Sequence, residues 1–334
     1  MAQNPLEAAL AAPQSPGILD RRLVIVTGKG GTGKTCVVAA LALAAARAGK
    51  RVLVVETGLG EAVPPLLSPG ASPVGYAGRE LQPGLTALHI EPYEALAEYV
   101  GLQFGVRAMT DLVFRNAAFR QLMDASPGWR ELITLGKIWH LQEQERFDLV
   151  VVDAPATGHG ITFLDVPRVV ISAVRAGPLR RHASWVEDMV QSPDETLLLP
   201  VALAEELPAR ETAELVTRLR EDVGVAVDRV VVNAVASSPL PPGAPDLAAR
   251  LARLPAHLDC GGLPAPPILA ACLGHAVSRA ELNRHYRDLI GRETGLPVVE
   301  LPYLDGGVSG PDDLERLAHA LVEPPVRIAA ESTP

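Results

Sequence analysis

The most chemically informative segment of this sequence is glycine-rich and reads GKGGTGKT over residues 28–35. It follows the apolar run Leu23–Val26 and precedes the apolar run Val37–Ala46. This order predicts a strand, then a tight turn, then the beginning of a helix. In such a turn the backbone N–H groups point at a bound anion, and the positive end of the helix dipole lies under the same anion. The segment therefore predicts a loop that binds phosphate.

The side chains of this loop indicate how a nucleotide would be held. Lys34 offers a positive charge to the β- and γ-phosphates, and the Thr35 hydroxyl is a suitable ligand for Mg²⁺. The glycines permit the required backbone angles and a close approach to the phosphate. For Cys36, in the following helix, the plainer interpretation is a core position. The predicted nucleotide-binding positions are Gly28, Gly30, Gly31, Thr32, Gly33, Lys34, Thr35 and Cys36.

A second candidate group is Asp153, which ends the apolar run Leu149–Val152. Ligands of doubly wound sheets bind at the carboxyl ends of buried parallel strands, where this acid is expected. Asp153 is therefore predicted to hold Mg²⁺ directly or through its water shell. The alternative is a helix N-cap or a surface acid. The stretch DAPATGHG over residues 153–160 predicts a loop that moves with the γ-phosphate.

The elements that position these groups alternate between apolar strand-like runs and helical patterns. The predicted fold is α/β, a doubly wound and mostly parallel sheet of the P-loop NTPase type, with an inserted helical layer at about 92–146. Within the helical stretches, breaks are predicted at Pro167 and Gly274. Residues 57–83 carry many glycines and prolines, so regular structure is not expected over their whole length. Strands are predicted at 22–27, 51–56, 85–90, 148–153, 196–203, 229–235 and 297–301.

Length and composition limit the remaining possibilities. The 334 residues are predicted to form one domain at 21–322, with a disordered tail at 1–20 and a flexible tail at 323–334. A net charge of −9 argues against a nucleic-acid partner. The 3 cysteines include no CxxC pair, which argues against disulfides and a thiolate zinc site.

The N-terminus does not resemble a secretory leader, and the longest apolar run is too short to span a membrane. A cytoplasmic protein without an integral membrane segment is expected.

Two motifs together resemble a known family. The loop GKGGTGKT resembles that of the signature-lysine ATPases, and DAPATGHG resembles the switch II of the anion-transporting ATPases. That family includes arsenical-pump-driving ATPases and ATPases that target tail-anchored proteins. The resemblance spans about residues 20–322 and implies a Mg²⁺-dependent homodimer that hydrolyses ATP at or near the subunit interface. It implies that Lys29 reaches the nucleotide of the other subunit; the alternative is a solvated loop lysine.

The same resemblance suggests where the adenine base would lie. Asn233 would recognise the adenine edge, because its amide offers both a donor and an acceptor. Backbone groups from Pro302 to Asp305, Leu304 among them, would flank the base. The alternative for Asn233 is a turn residue at a strand end. His159 would lie in the mobile switch, where a structural role is equally open.

Switch I departs from the family pattern. The family commonly has D-P-A-H after the second strand, with the aspartate orienting the attacking water. Here the stretch reads ETGLGE over residues 56–61, so Gly58 occupies the aspartate position. Glu56 is the catalytic candidate in its place, and Glu61 is a second possibility; both are also compatible with plain structural roles. Hydrolysis is expected to be slow if neither substitutes.

A second reading is a nucleotide-gated targeting or chaperone module with weak hydrolysis. Its partner would be a membrane protein or another hydrophobic client, held in a groove of the helical layer. Ordinary core packing is the alternative for those side chains. The chain has only 4 methionines, unlike the methionine-rich grooves of the targeting ATPases. The candidate groove residues are Leu112, Val113, Phe114, Phe119, Leu122 and Met123.

Overall fold

The computed structural model describes residues 17–58, 60–104, 121, 123, 125, 128–241, 246–258 and 261–328. Among them, one sheet has the strand order β3-β4-β2-β5-β1-β6-β7-β8. All neighbouring strands are parallel except β3 and β4. The predicted mostly parallel α/β sheet is therefore confirmed. The strands are β1 Leu23–Thr27, β2 Val52–Glu56, β3 Arg79–Gln82, β4 Leu85–His89, β5 Leu149–Asp153, β6 Thr196–Leu203, β7 Val230–Val235 and β8 Val298–Pro302.

Helices cover both faces of this sheet, because the strands are apolar on both sides. On one face Val24, Val54 and Val151 pack with helices α1 and α10; on the other Ile25, Val55 and Val152 pack with α4, α6 and α7. The helices are α1 Lys34–Arg47, α2 Val63–Leu67, α3 Pro92–Phe104, α4 Trp129–Glu143, α5 Thr157–Ala173, α6 Pro178–Gln191, α7 Glu206–Arg218, α8 Leu247–Ala252, α9 Pro266–Thr294 and α10 Pro311–Val322.

Three local predictions were wrong. Strand β3 was missed, because its sequence RELQ is polar and half-exposed, without the apolar pattern of a buried strand. Helix α5 continues through Pro167, and α9 continues through Gly274. A single proline or glycine costs helix stability locally, and packing of the surrounding turns overrides that cost.

The predicted helical insert contains α3 and α4, which pack against each other and, through α4, against α5 and α6. Of the candidate groove residues, Met123 is half-buried and the others lie outside the described residues. So do residues 1–16 and 329–334 of the predicted tails. Ile18–Asp20 form a short 3-10 turn with Ile18 buried. No helix in the described ranges is long and apolar enough to cross a membrane.

Candidate functional site

The glycine-rich loop joins the end of β1 to the start of α1, as its sequence predicts. Two of its glycines are required by their surroundings. Gly28 has φ +148°, and a Cβ there would lie 2.2 Å from the carbonyl oxygen of Val201. Gly33 has φ +87°, and its Cβ would lie 2.2 Å from Nδ2 of Asn233. Any larger residue at these positions would force the loop away from β6 or β7.

The two lysines of the loop point in different directions. Lys34 Nζ donates to the carbonyl oxygen of Lys29 at 3.1 Å, and the Thr32 hydroxyl donates to the same oxygen at 2.9 Å. Burial lowers the pKa of Lys34, while the nearby Asp153 charge opposes this effect. The side chain of Lys29 instead lies 2.6 Å from Oε1 of Glu211, on α7. Lys34 thus stays over the loop, and Lys29 turns outward to a neighbouring helix.

Asp153, the last residue of β5, lies directly beside the loop. Its Oδ2 accepts a hydrogen bond from the Thr35 hydroxyl at 2.8 Å. Burial raises the pKa of Asp153, whereas the Thr35 hydrogen bond and the Lys34 charge lower it. The parallel register of β1 with β5 aligns Val26 with Asp153, which explains why the acid and the loop meet.

Glu56 ends β2 and lies opposite Asp153 in the register of β2 with β5. Its Oε1 accepts the N–H groups of Ala62 at 2.6 Å and Val63 at 2.9 Å. Its Oε2 is buried and has no hydrogen-bond partner among the residues that the structure describes. Burial raises the pKa of Glu56, and the charge of Asp153 adds to the rise, although the backbone hydrogen bonds act against it. One carboxylate oxygen is therefore buried and unused next to the predicted metal-binding acid.

Glu61, the second acid of switch I, has both oxygens engaged. They accept the backbone N–H groups of Val74 and Gly75, the latter at 2.8 Å. His89 lies 3.8 Å from Glu61, and its Nε2 is 2.9 Å from the carbonyl oxygen of Gly58. Glu61 and His89 thus brace the switch I loop, an arrangement that favours Glu56 over Glu61 as the free carboxylate.

The residues predicted to surround a base lie at the ends of β7 and β8. Asn233 Nδ2 donates to the carbonyl oxygen of Thr32 at 2.9 Å, so its amide also supports the phosphate loop. Pro302 pairs in register with Val235, and Leu304 is buried just beyond it. These residues therefore lie on the same edge of the sheet as the loop.

The remaining predicted residues have less specific surroundings. Cys36 is half-buried and packs against the apolar cluster around α1, and burial raises the pKa of its thiol. No heavy atom of the described residues lies within 4 Å of a Cβ added at Gly30 or Gly31, so these residues do not crowd either position. The side chain of His159 lies outside the described part of the chain.

Three further polar residues at this edge carry no motif that would predict them. Thr27 Oγ1, directly before the loop, is buried, and no described residue forms a hydrogen bond with it. Glu211 holds Lys29, as described above. Asn283, on α9, accepts the N–H of Ala236 at 2.9 Å and donates to the carbonyl oxygen of Ala204 at 3.0 Å.

The sheet, the glycine-rich loop and the acid at the end of β5 define an α/β protein of the P-loop NTPase class. Within that class, residues 21–183 match the family described as anion-transporting ATPase. Just under half of the chain thus resembles the anion-transporting ATPase family, as its two motifs predict.

Curated relatives agree with this assignment. ATPase BagA of Mycobacterium tuberculosis is 32% identical over 223 residues, which cover 64% of this chain and 64% of that protein. A putative arsenical pump-driving ATPase of Halobacterium salinarum is 28% identical, over 68% of this chain and 37% of the relative. The ATPase ASNA1 homolog of Entamoeba dispar is 26% identical, over 64% and 76% respectively. The chain thus spans less than two thirds of the length of BagA.

Proposed function

We propose that this protein binds ATP together with Mg²⁺ and hydrolyses it to ADP and phosphate in the cytoplasm. The observation that carries the proposal is the 2.8 Å hydrogen bond between Thr35 and Asp153, next to Lys34 and the glycine-rich loop. A hydroxyl and a carboxylate at one edge of a parallel sheet are the hard oxygen ligands that Mg²⁺ prefers. The match of residues 21–183 to the anion-transporting ATPase family supports the same reaction.

The residues present fit both the nucleotide and the metal. Lys34 and the loop N–H groups would stabilise charge on the transferred phosphate, and Thr35 and Asp153 would hold Mg²⁺. Bound there, Mg²⁺ would neutralise charge on the β- and γ-phosphate oxygens. The unpartnered Oε2 of Glu56 is an acceptor suited to orient the attacking water. Asn233, Pro302 and Leu304 would contact the base.

The test of this proposal is phosphate release by the purified protein with ATP, with and without Mg²⁺. Lys34→Ala and Asp153→Asn should abolish release, because both side chains lie at the phosphate loop. Binding of a fluorescent ATP analogue, measured in parallel, separates loss of binding from loss of chemistry. Wild-type release no faster than that of Lys34→Ala would exclude the enzyme.

We further propose that the active form is a homodimer in which Lys29 completes the site of the other subunit. The support is the signature-lysine motif and the outward direction of Lys29. Mixing two inactive variants tests it. Lys29→Ala and Asp153→Asn subunits should regain activity together, because one of the two mixed sites then has an intact Asp153 and a partner's lysine. If the two variants exchange subunits but the mixture is no more active than the separate variants, Lys29 serves the site of its own subunit.

A second candidate function is the nucleotide-gated binding of a hydrophobic client. One observation favours it: a cavity of about 120 Å³ between α3, α4 and α6. At its rim Leu102 is 61% exposed and Leu179 44% exposed, so apolar side chains border the opening. We expect an apolar helical peptide to bind in an ATP-dependent manner. The Leu102→Glu variant should lose this binding. Binding that ignores nucleotide would reject this candidate.

A further inference from the structure

Thr57, the first residue after β2, connects switch I to the last residue of β5. Its hydroxyl donates a hydrogen bond of 2.8 Å to the backbone carbonyl oxygen of Asp153. Glu56 and Asp153 are the last residues of β2 and β5 that pair in register, so the backbone ladder between these strands ends there. The Thr57 side chain thus continues the contact between the two strands beyond the end of the ladder.

The chain is held by hydrogen bonds on both sides of Thr57. Before it, Oε1 of Glu56 accepts the N–H of Ala62 at 2.6 Å. After it, the carbonyl oxygen of Gly58 lies 2.9 Å from Nε2 of His89. Threonine is branched at Cβ, which restricts its χ1 angle. Because the neighbouring residues are fixed and the side chain is stiff, the Thr57 hydroxyl has a defined position against which Asp153 is oriented.

The bond from Thr57 leaves the reactive part of Asp153 free. Thr57 uses only the backbone carbonyl, whereas the carboxylate accepts the Thr35 hydroxyl at 2.8 Å through Oδ2. Asp153 is therefore held at its backbone by switch I and at its side chain by the helix that follows the phosphate loop. Functional groups must be held within about 0.5 Å of their working position, so a shift of this backbone would displace the carboxylate from its place.

We propose that Thr57 is a positioning residue whose hydroxyl fixes the backbone of Asp153, so that the carboxylate is presented to a divalent cation. The inference rests on the proposed function, because Asp153 is a metal ligand only if Mg²⁺ accompanies the nucleotide. The bond joins residues 96 positions apart, so the sequence alone does not indicate it. Loss of one neutral hydrogen bond should weaken cation binding by about threefold to tenfold.

The experiment compares Thr57→Val, which removes the hydroxyl and keeps the branched shape, with Thr57→Ser, which keeps the hydroxyl. Mn²⁺ is the probe, and its binding in the presence of a non-hydrolysable ATP analogue is measured by electron paramagnetic resonance. We expect Thr57→Val to weaken Mn²⁺ binding by about threefold to tenfold and Thr57→Ser to stay within about twofold of wild type. Equal Mn²⁺ affinity of Thr57→Val and wild type would overturn the inference.

Thr196→Val is the matched control for a plain loss of stability. The Thr196 hydroxyl also donates to a backbone carbonyl oxygen, that of Met189 at 2.7 Å, but Thr196 begins β6 at the opposite, amino edge of the sheet. This variant should lower the free energy of unfolding, measured with urea, and keep Mn²⁺ affinity within about twofold of wild type. An equal loss of Mn²⁺ affinity in Thr196→Val and Thr57→Val would show a general effect of stability and overturn the inference.

Phosphate release separates this inference from the proposed function. A wild type that binds Mn²⁺ and the ATP analogue but releases no phosphate would reject hydrolysis, while the Mn²⁺ comparison would still decide the role of Thr57. In an active wild type, release by Thr57→Val should fall at limiting Mg²⁺ and recover when Mg²⁺ is raised about tenfold, because mass action overcomes weakened binding. A defect that persists at saturating Mg²⁺, with unchanged Mn²⁺ affinity, would overturn the inference and leave the proposed hydrolysis intact.

Discussion

Lys29 and Glu211 form an ion pair, with Nζ 2.6 Å from Oε1, that joins the phosphate loop to helix α7. The two side chains are 41% and 36% exposed, so solvent screens the pair and it stabilises the fold only slightly. The pair instead fixes the direction of the Lys29 side chain, because it holds the ammonium group against Glu211 of the same subunit. Engagement of the other subunit's nucleotide would require this pair to open.

Replacing Glu211 should therefore favour the dimer. An exposed ion pair contributes about 0.2–1 kcal/mol, so Glu211→Gln should tighten the nucleotide-dependent dimer by up to about fivefold. Sedimentation velocity with Mg²⁺ and an ATP analogue measures the change. Glu214→Gln, on the same helix and exposed, is the matched control and should have no effect. Weaker dimerisation of Glu211→Gln would show that the pair supports the interface.

Glu56→Gln should reduce turnover without harming the fold. The glutamine oxygen can still accept the N–H groups of Ala62 and Val63, while the basic oxygen is lost. A general base or water-orienting group contributes about 10²–10⁴-fold, so kcat should fall by at least about 100-fold with KM nearly unchanged. In contrast, Glu61→Gln should lower the free energy of unfolding with kcat largely retained. A Glu56→Gln enzyme with wild-type kcat would remove Glu56 from catalysis.

Gly33→Ala should disrupt the loop even in the absence of nucleotide. The new Cβ would lie 2.2 Å from Asn233 Nδ2, at a φ of +87° that L-residues rarely adopt. The left-handed backbone alone costs about 1–2 kcal/mol of unfolding free energy, measurable by urea denaturation. Asn233→Ala in the same chain should recover the steric part of the loss. Gly30→Ala, where nothing lies within 4 Å of the added carbon, should leave the unfolding free energy unchanged.

The helical layer should lose stability in acid through Glu98. Burial would raise the pKa of Glu98, but hydrogen bonds from Lys137 and Tyr76 outweigh it and hold the pKa below the ordinary 4.5. A carboxyl with a lowered pKa stabilises the fold above pH 4.5, and this contribution disappears as the pH falls through the lowered value. Glu98→Gln should cost about 1–3 kcal/mol at pH 7, because Lys137 is left buried without its partner.

Urea denaturation of the Glu98→Gln variant and wild type from pH 7 to pH 3 checks that prediction. The difference between them should narrow as the pH falls below 4.5. Glu94→Gln, exposed one turn earlier on α3, is the control and should run parallel to wild type. A constant difference over the whole range would assign the loss to packing rather than to charge.

The sequence by itself determined the features whose chemistry is local. A glycine-rich turn between an apolar run and a helix can hardly be anything except a phosphate loop, and the acid that ends a buried strand must lie at the ligand-binding edge of a parallel sheet. The apolar runs also predicted seven of the eight strands found in the described part of the chain. Strand β3 escaped because an edge strand held by backbone hydrogen bonds needs no apolar pattern.

Only the tertiary structure decided which distant groups meet. Strand order brings Glu56 beside Asp153, and that order depends on crossovers that a single sequence does not specify. Lys29 meets Glu211 across 182 residues of chain, and Asn233 meets Thr32 across 201. Such contacts follow from how whole elements pack, since local propensity carries no information about a partner that is far away in the chain.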